Sequence, residues 1–185
     1  MAKNWKIRKD LSIEFCGHTL FRIECTQDFK EIKAGTLGGF IEKEENLDGD
    51  AWVSDDAQVY GDAKVSEDAK VCGDARVYGK AWVYGNAQVY SNARVCGDAW
   101  VYGDKITNKD DICYISNRYY NITITPLHIK IGCQYHAQDA WWNFTDEQIE
   151  KMDGESALNF WKIWKEPLKQ ICDAMKKEKG EKDVK

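Results

Sequence analysis

The chain has 185 residues, is 43% hydrophobic and 31% charged, and carries a net charge of −5. That balance fits a folded domain with appendages. It argues against binding a nucleic acid polymer or an anionic membrane, both of which favour basic surfaces. No apolar run reaches signal-peptide or membrane-span length, so the expected location is the cytoplasm. The seven cysteines contain no Cys-x-x-Cys pair and are expected to be reduced thiols there.

Residues 1–40 read as an N-terminal β-hairpin and leader. In "LSIEFCGHTLFRIECTQDF" two alternating runs flank Cys16-Gly17-His18-Thr19, a hairpin pattern. Gly35, Gly38 and Gly39 follow without phosphate-loop spacing, and they read as a tight lead into the next segment.

From residue 41 to 106 the chain repeats in sixes. Val53, Val59, Val65, Val71, Val77, Val83, Val89, Val95 and Val101 alternate with Ala51, Ala57, Ala63, Ala69, Ala75, Ala81, Ala87, Ala93 and Ala99. Ile41 and Leu47 extend the valine register backward, and Lys105-Ile106-Thr107 ends it. Such periodicity outranks local propensity as a guide to fold. A Gly-Asp-like pair in each six makes a turn, and Asp or Asn tolerates the left-handed backbone that turns require. The remaining residues form a short strand with valine inward and its neighbours outward. Alanine also points inward and lets the corner close. Three sixes then make one triangular coil of eighteen residues.

Residues eighteen apart should stack on one face, about 4.8 Å apart. Face one carries Trp52, Ser54, Lys70, Cys72, Gln88 and Tyr90, a mixed set that looks solvated. Face two carries Gln58, Tyr60, Arg76, Tyr78, Arg94 and Cys96. Face three carries Lys64, Ser66, Trp82, Tyr84, Trp100 and Tyr102. An aromatic wall of that kind marks a contact, so face three is expected to be covered by a sister subunit or by the C-terminal helices.

The repeats over 41–104 resemble the hexapeptide-repeat family, which folds as a left-handed parallel β-helix. The resemblance therefore implies a mainly β fold, a left-handed β-helix with a β-rich cap and a C-terminal helical segment, and a homotrimer. The stretch "LFRIECTQDFKEIKAGTLGGFIEKEENL" is similar to the leader of a bacterial and phage subset labelled transferases by fold alone. Fold alone does not fix function.

Residues 107–140 read as a β cap. Ile122, Ile124, Leu127, Ile129 and Ile131 suggest two strands with a turn at Thr125-Pro126, expected to pair with the N-terminal hairpin. Residues 141–178 read as helical. Thr145 and Gln148 have capping-box spacing, and Leu158, Trp161, Leu168, Ile171, Cys172 and Met175 have helical spacing. Pro167 should kink or split that helix. Trp141, Trp142, Trp161 and Trp164 are expected to pack it. The tail 179–185 is charged and reads as disordered.

The resemblance to hexapeptide acyltransferases implies a histidine base near a subunit boundary, an ejected loop and acyl-CoA as co-substrate. This chain has no histidine between Phe21 and Leu127 and no inserted loop, and the first absence also argues against the related zinc carbonic anhydrases. His136, with Asp139 to orient it, is the alternative base. Cys16, His18, Cys133 and His136 would make a metal site only if hairpin and C-terminal strand met. Asp56, Asp74 and Asn92 read as solvated corners, so no metal is expected.

The remaining constellation is Arg76, Tyr78 and Arg94 beside Trp82, Tyr84, Trp100 and Tyr102. Guanidinium forks suit phosphates and rings suit bases. The sequence thus favours a non-enzymatic oligomeric binding or scaffold protein of phage type, without a resident cofactor. It would sequester a small phosphorylated or nucleotide-like ligand at subunit boundaries. The alternatives are an acyl-CoA-dependent acyltransferase and a purely structural oligomer in which arginines and rings bond subunits.

Overall fold

The computed structural model describes residues 3–182 and divides the chain into two compact units, Met1–Tyr114 and Ile115–Lys185. The segment 107–140, one β cap by sequence, is cut at that boundary.

The first unit is a parallel β-solenoid of about four turns. Its register is the eighteen-residue one: Gln58 pairs with Arg76 and Arg76 with Arg94, while Lys64 pairs with Trp82 and Trp82 with Trp100. All the repeat valines and alanines are at most 1% exposed, so the inward positions form one continuous core. Backbone bonds such as Lys70 N to Ala87 O at 2.9 Å join successive rungs. On face one the last step is a residue shorter, with Val89 pairing with Ile106, because only five residues separate Val101 from Ile106.

The corners differ from the sequence expectation in one respect. The left-handed residue is the first of each Gly-Asp pair, not the Asp or Asn; where glycine is missing, Asp55, Glu67 and Ser91 take it, with φ of 56°, 60° and 57°. One corner is a column of glycines, Gly61, Gly79 and Gly97, with φ of 68°, 73° and 66°. A Cβ on Gly79 would sit 3.1 Å from the backbone N and O of Gly97, so both conformation and spacing favour glycine there.

The N-terminal strands Trp5–Phe15 and His18–Cys25 form the expected antiparallel hairpin. The second pairs antiparallel with Leu37–Ile41, which pairs parallel with Gln58–Val59. Face two thereby grows into a six-stranded mixed sheet. A Cβ on Gly38 would lie 2.5 Å from the Val53 carbonyl, which explains the glycines leading into the first coil. Trp5, Ile23 and Cys25 close one end of the solenoid core, with Phe29 and Ile32 packed on it. At the other end Ile112 and Tyr114 pack on the core, and the Asp111 carboxylate accepts from the Thr107 N–H at 2.7 Å.

In the second unit the strands Ile122–Ile124, His128–Ile131 and Gln134–Ala137 pair antiparallel in that order. Adjacent strands joined by short turns pair with each other. Two helices follow, Gln138–Asn143 and Asp146–Lys182. The capping box is present, with the Gln148 N–H donating to Thr145 Oγ1 at 3.3 Å and the Thr145 N–H to Gln148 Oε1 at 2.9 Å. The long helix breaks at Asp153 and Gly154 and not at Pro167, which lies within helical backbone. Gly154, at φ 63° and ψ −155°, adopts a conformation almost confined to glycine, and this sets the break. Helical backbone continues through Lys182 into the segment expected to be disordered, and 183–185 lie outside the described residues. None of the helices is long and apolar enough to cross a membrane.

Candidate functional site: two faces of the solenoid

Face three brings its four predicted rings together. Trp82 and Trp100, partners on neighbouring rungs, stack at 4.9 Å and 22°, and Tyr84 and Tyr102 lie 5.0 Å apart. Tyr84 meets Trp100 edge-on at 5.9 Å. Tyr84 also meets Trp82 edge-on, at 6.2 Å. Lys64 Nζ lies 5.5 Å from the Trp82 ring. Trp82 is still 37% exposed and Tyr102 45%, so the block presents a contiguous aromatic surface. Partial burial, then the nearby Glu67 charge, pushes the Tyr84 hydroxyl above its ordinary pKa.

Face two is organised differently from the expectation. Arg76 does not wait for another subunit's rings: its guanidinium lies 4.5 Å from the Phe15 ring of its own hairpin. Leu20, Phe40 and Tyr60 form a second apolar cluster with Ile13, Phe15 and Tyr78 packed on it, so the hairpin tip covers part of this face. Tyr78 stacks on Tyr60 at 5.2 Å and 4°, and its hydroxyl meets the Cys96 thiol, which with burial raises its pKa. Arg94, one rung on, is exposed.

The hairpin also delivers a pair that sequence reasoning passed over. His18 Nδ1 lies 2.8 Å from Glu42 Oε1, Glu42 Oε2 accepts from the Gly61 N–H at 2.7 Å, and the His18 ring tilts over Tyr60 at 5.1 Å. Burial alone would raise the Glu42 pKa; the bonds from His18 and Gly61 outweigh it and hold the carboxyl below its usual range. The available signal was register: Glu42 follows the inward Ile41 as Tyr60 follows Val59 and Tyr78 follows Val77.

Face one is not wholly solvated. Trp52 is buried against Phe29 at 5.7 Å, and Lys30 reaches the Asp50 carbonyl and Asp68.

His136 packs inside the second unit. Its Nε2 meets Gln134 Oε1 at 3.2 Å, its ring packs on Trp141 and Phe144 at 5.2 and 5.0 Å, and burial lowers its pKa. Asp139 is exposed and does not reach it; the Asp139 carbonyl instead accepts from Asn143. Trp141 and Trp161 pack at 5.3 Å, and Trp141 Nε1 donates to the Ile129 carbonyl, so the tryptophans tie helix to sheet within the second unit. Among the described residues no three His, Cys, Asp or Glu gather around a metal position. All seven cysteines are free thiols.

The register, the buried valine columns and the glycine corners define the class: a repeat-built parallel β-solenoid with an appended strand-and-helix unit. A family model described as the YdcK β-solenoid repeat matches residues 69–85 and 87–103, stretches that begin eighteen residues apart, one coil step. It supports the repeat architecture and carries no transferase label. No curated protein matches the chain.

Proposed function

We propose that this chain is a non-enzymatic, self-associating scaffold or binding protein whose subunits, three by expectation, meet through the aromatic block of face three. The observation that supports this is the exposed cluster of Trp82, Tyr84, Trp100 and Tyr102 on a flat, rigid sheet. Tryptophan and tyrosine are the side chains most enriched at interface centres. Three rungs are about 14 Å tall and the strands about 16 Å wide, which gives roughly 200 Å². A stable interface needs about 800 Å² per partner, so the block is the centre of a larger contact that includes the corners. As a binding protein it would take a small phosphorylated ligand at Arg76 and Arg94. The packing of His136 and its separation from Asp139 do not support the acyltransferase alternative.

Native mass spectrometry and sedimentation of the wild type and of Trp82→Ser/Tyr102→Ser test this. The expected result is a trimer for the wild type and monomer for the variant, with circular dichroism unchanged. A monomeric wild type, or an unchanged subunit count in the variant, overturns the reading. Turnover of acetyl-CoA that depends on His136 would overturn the non-enzymatic part.

A further inference from the structure

Arg76 and Arg94 are register partners on adjacent parallel strands, so their backbone positions stand about one rung, 4.8 Å, apart. Like charges placed side by side in a sheet repel, and they are normally offset by an acidic neighbour. The other two arginines of the first unit have that neighbour. Arg8 is held by Asp10 and Glu24, and Arg22, which lies over Phe40 at 4.3 Å, is met by Asp56 at 2.7 Å. Arg76 lies over Phe15 in the same manner, yet neither it nor Arg94 has an acidic partner among the described residues. Of the carboxylates close in register, Glu42 is engaged by His18 and the Gly61 N–H, and Asp74, in the corner column of Asp56, forms no ion pair with either arginine among the described residues. In a chain with 31 acidic residues against 26 basic ones, two stacked arginines left unpaired stand out as a place for an external anion.

We infer that Arg76 and Arg94 of one subunit together hold a phosphate dianion, free or as the terminal group of a phosphomonoester. This rests on the binding-protein reading and departs from it in two respects. First, the site lies within one subunit, because Phe15 of the same chain positions the Arg76 fork. Two forks side by side can offer paired N–H donors to one tetrahedral anion. Second, the ligand needs no nucleobase. Tyr60 has Tyr78 on one face and His18 tilted over it, and Phe15 carries Arg76, so these rings leave no open platform for a base. Recognition is thus of the phosphate, not of a base.

The test is titration of the full chain with inorganic phosphate and, separately, glycerol 3-phosphate, at fixed ionic strength with chloride as replacement. Binding is read by the arginine Nε–H signals in nitrogen-15 spectra and by thermal stability. The wild type should show saturable shifts at two arginines. Arg94→Gln, at an exposed site, should weaken binding at least tenfold. Arg76→Lys, which keeps the charge over Phe15 but loses the fork, should weaken it several-fold. Arg118→Gln, outside the solenoid, should leave it unchanged. Equal effects of phosphate and chloride, or unaltered binding in Arg94→Gln, overturn the inference. Tighter binding of glycerol 3-phosphate identifies an ester as the natural form; equal or weaker binding identifies free phosphate. Native mass spectra of the same samples keep the two readings apart: loss of phosphate binding with the trimer intact removes only this inference. Phosphate binding by a monomeric wild type removes only the trimer.

Discussion

Alanine at Gly79 and alanine at Gly103 should have different costs, and the difference measures how tightly the rungs are stacked. The two glycines share nearly the same backbone, φ 73° and 70°. A left-handed conformation costs a non-glycine residue about 1–2 kcal/mol. Replacing glycine also restricts the unfolded chain, which offsets about 0.4–1 kcal/mol. Gly103→Ala meets nothing within 4 Å, so its net cost should be on the order of 0.5–1 kcal/mol. Gly79→Ala bears the same backbone cost and places its Cβ 3.1 Å from the N and O of Gly97. Those atoms are backbone on the next rung and cannot rotate away, so the rungs must separate locally. Overpacking of this kind costs about 1–3 kcal/mol. Gly79→Ala should therefore be less stable than Gly103→Ala by about 1–3 kcal/mol, several degrees in Tm for a chain of this length. Urea unfolding followed by tryptophan fluorescence, at matched protein concentration, measures both. Equal destabilisation would refute the claim that rung spacing, beyond backbone conformation, selects glycine in the Gly61–Gly79–Gly97 column.

Two further predictions concern titration. The Glu42 carboxyl is held below its ordinary value near 4.5, so its contribution is complete above that pH and is lost as pH falls through the lowered value. Glu42→Gln should therefore flatten the acid limb of the stability curve; parallel limbs would show that the bonds to His18 and Gly61 contribute nothing. The Tyr120 hydroxyl is pushed up to about 12, first by its 2.7 Å bond to the Asp153 carboxylate and then by burial. Ultraviolet titration of Asp153→Asn should return one tyrosine toward the ordinary value of 10.0, and a titration curve identical to wild type would remove that bond.

The period of six was enough to read the solenoid, because each inward valine and alanine reports its own position. Val59, Val77 and Val95 are fully buried for the reason their spacing announces. The three outward rows were equally legible, and so was the capping box at Thr145, because both depend on fixed local offsets. What the pattern does not carry is contact between distant segments. Phe15 over Arg76 joins residues 61 apart, and His18 with Glu42 joins the hairpin to the first coil. The break at Asp153-Gly154 was missed for a different reason. A helical stripe resumes on either side of it, and the nearby proline drew attention to the wrong residue.

The hairpin is what makes the two aromatic faces chemically unlike. On face two it supplies Phe15 and His18, so Tyr60 is buried and Arg76 is seated by its own chain. On face three the rings pack on one another, and Trp82 and Tyr102 stay substantially exposed. Rings already packed on one another, face to face for the tryptophans and edge-on for Tyr84, suit an apolar protein surface better than an intercalated base. Arg76 seated on Phe15 beside the exposed Arg94, neither in an ion pair among the described residues, suits a small anion better than a large apolar partner. On the proposed reading, assembly and anion binding belong to different faces of the solenoid. Substitutions at Trp82 and Tyr102 should leave anion binding intact, and Arg94→Gln should leave the subunit count intact. If either change disrupted both properties, the faces would be coupled and the separation drawn from their packing would be wrong.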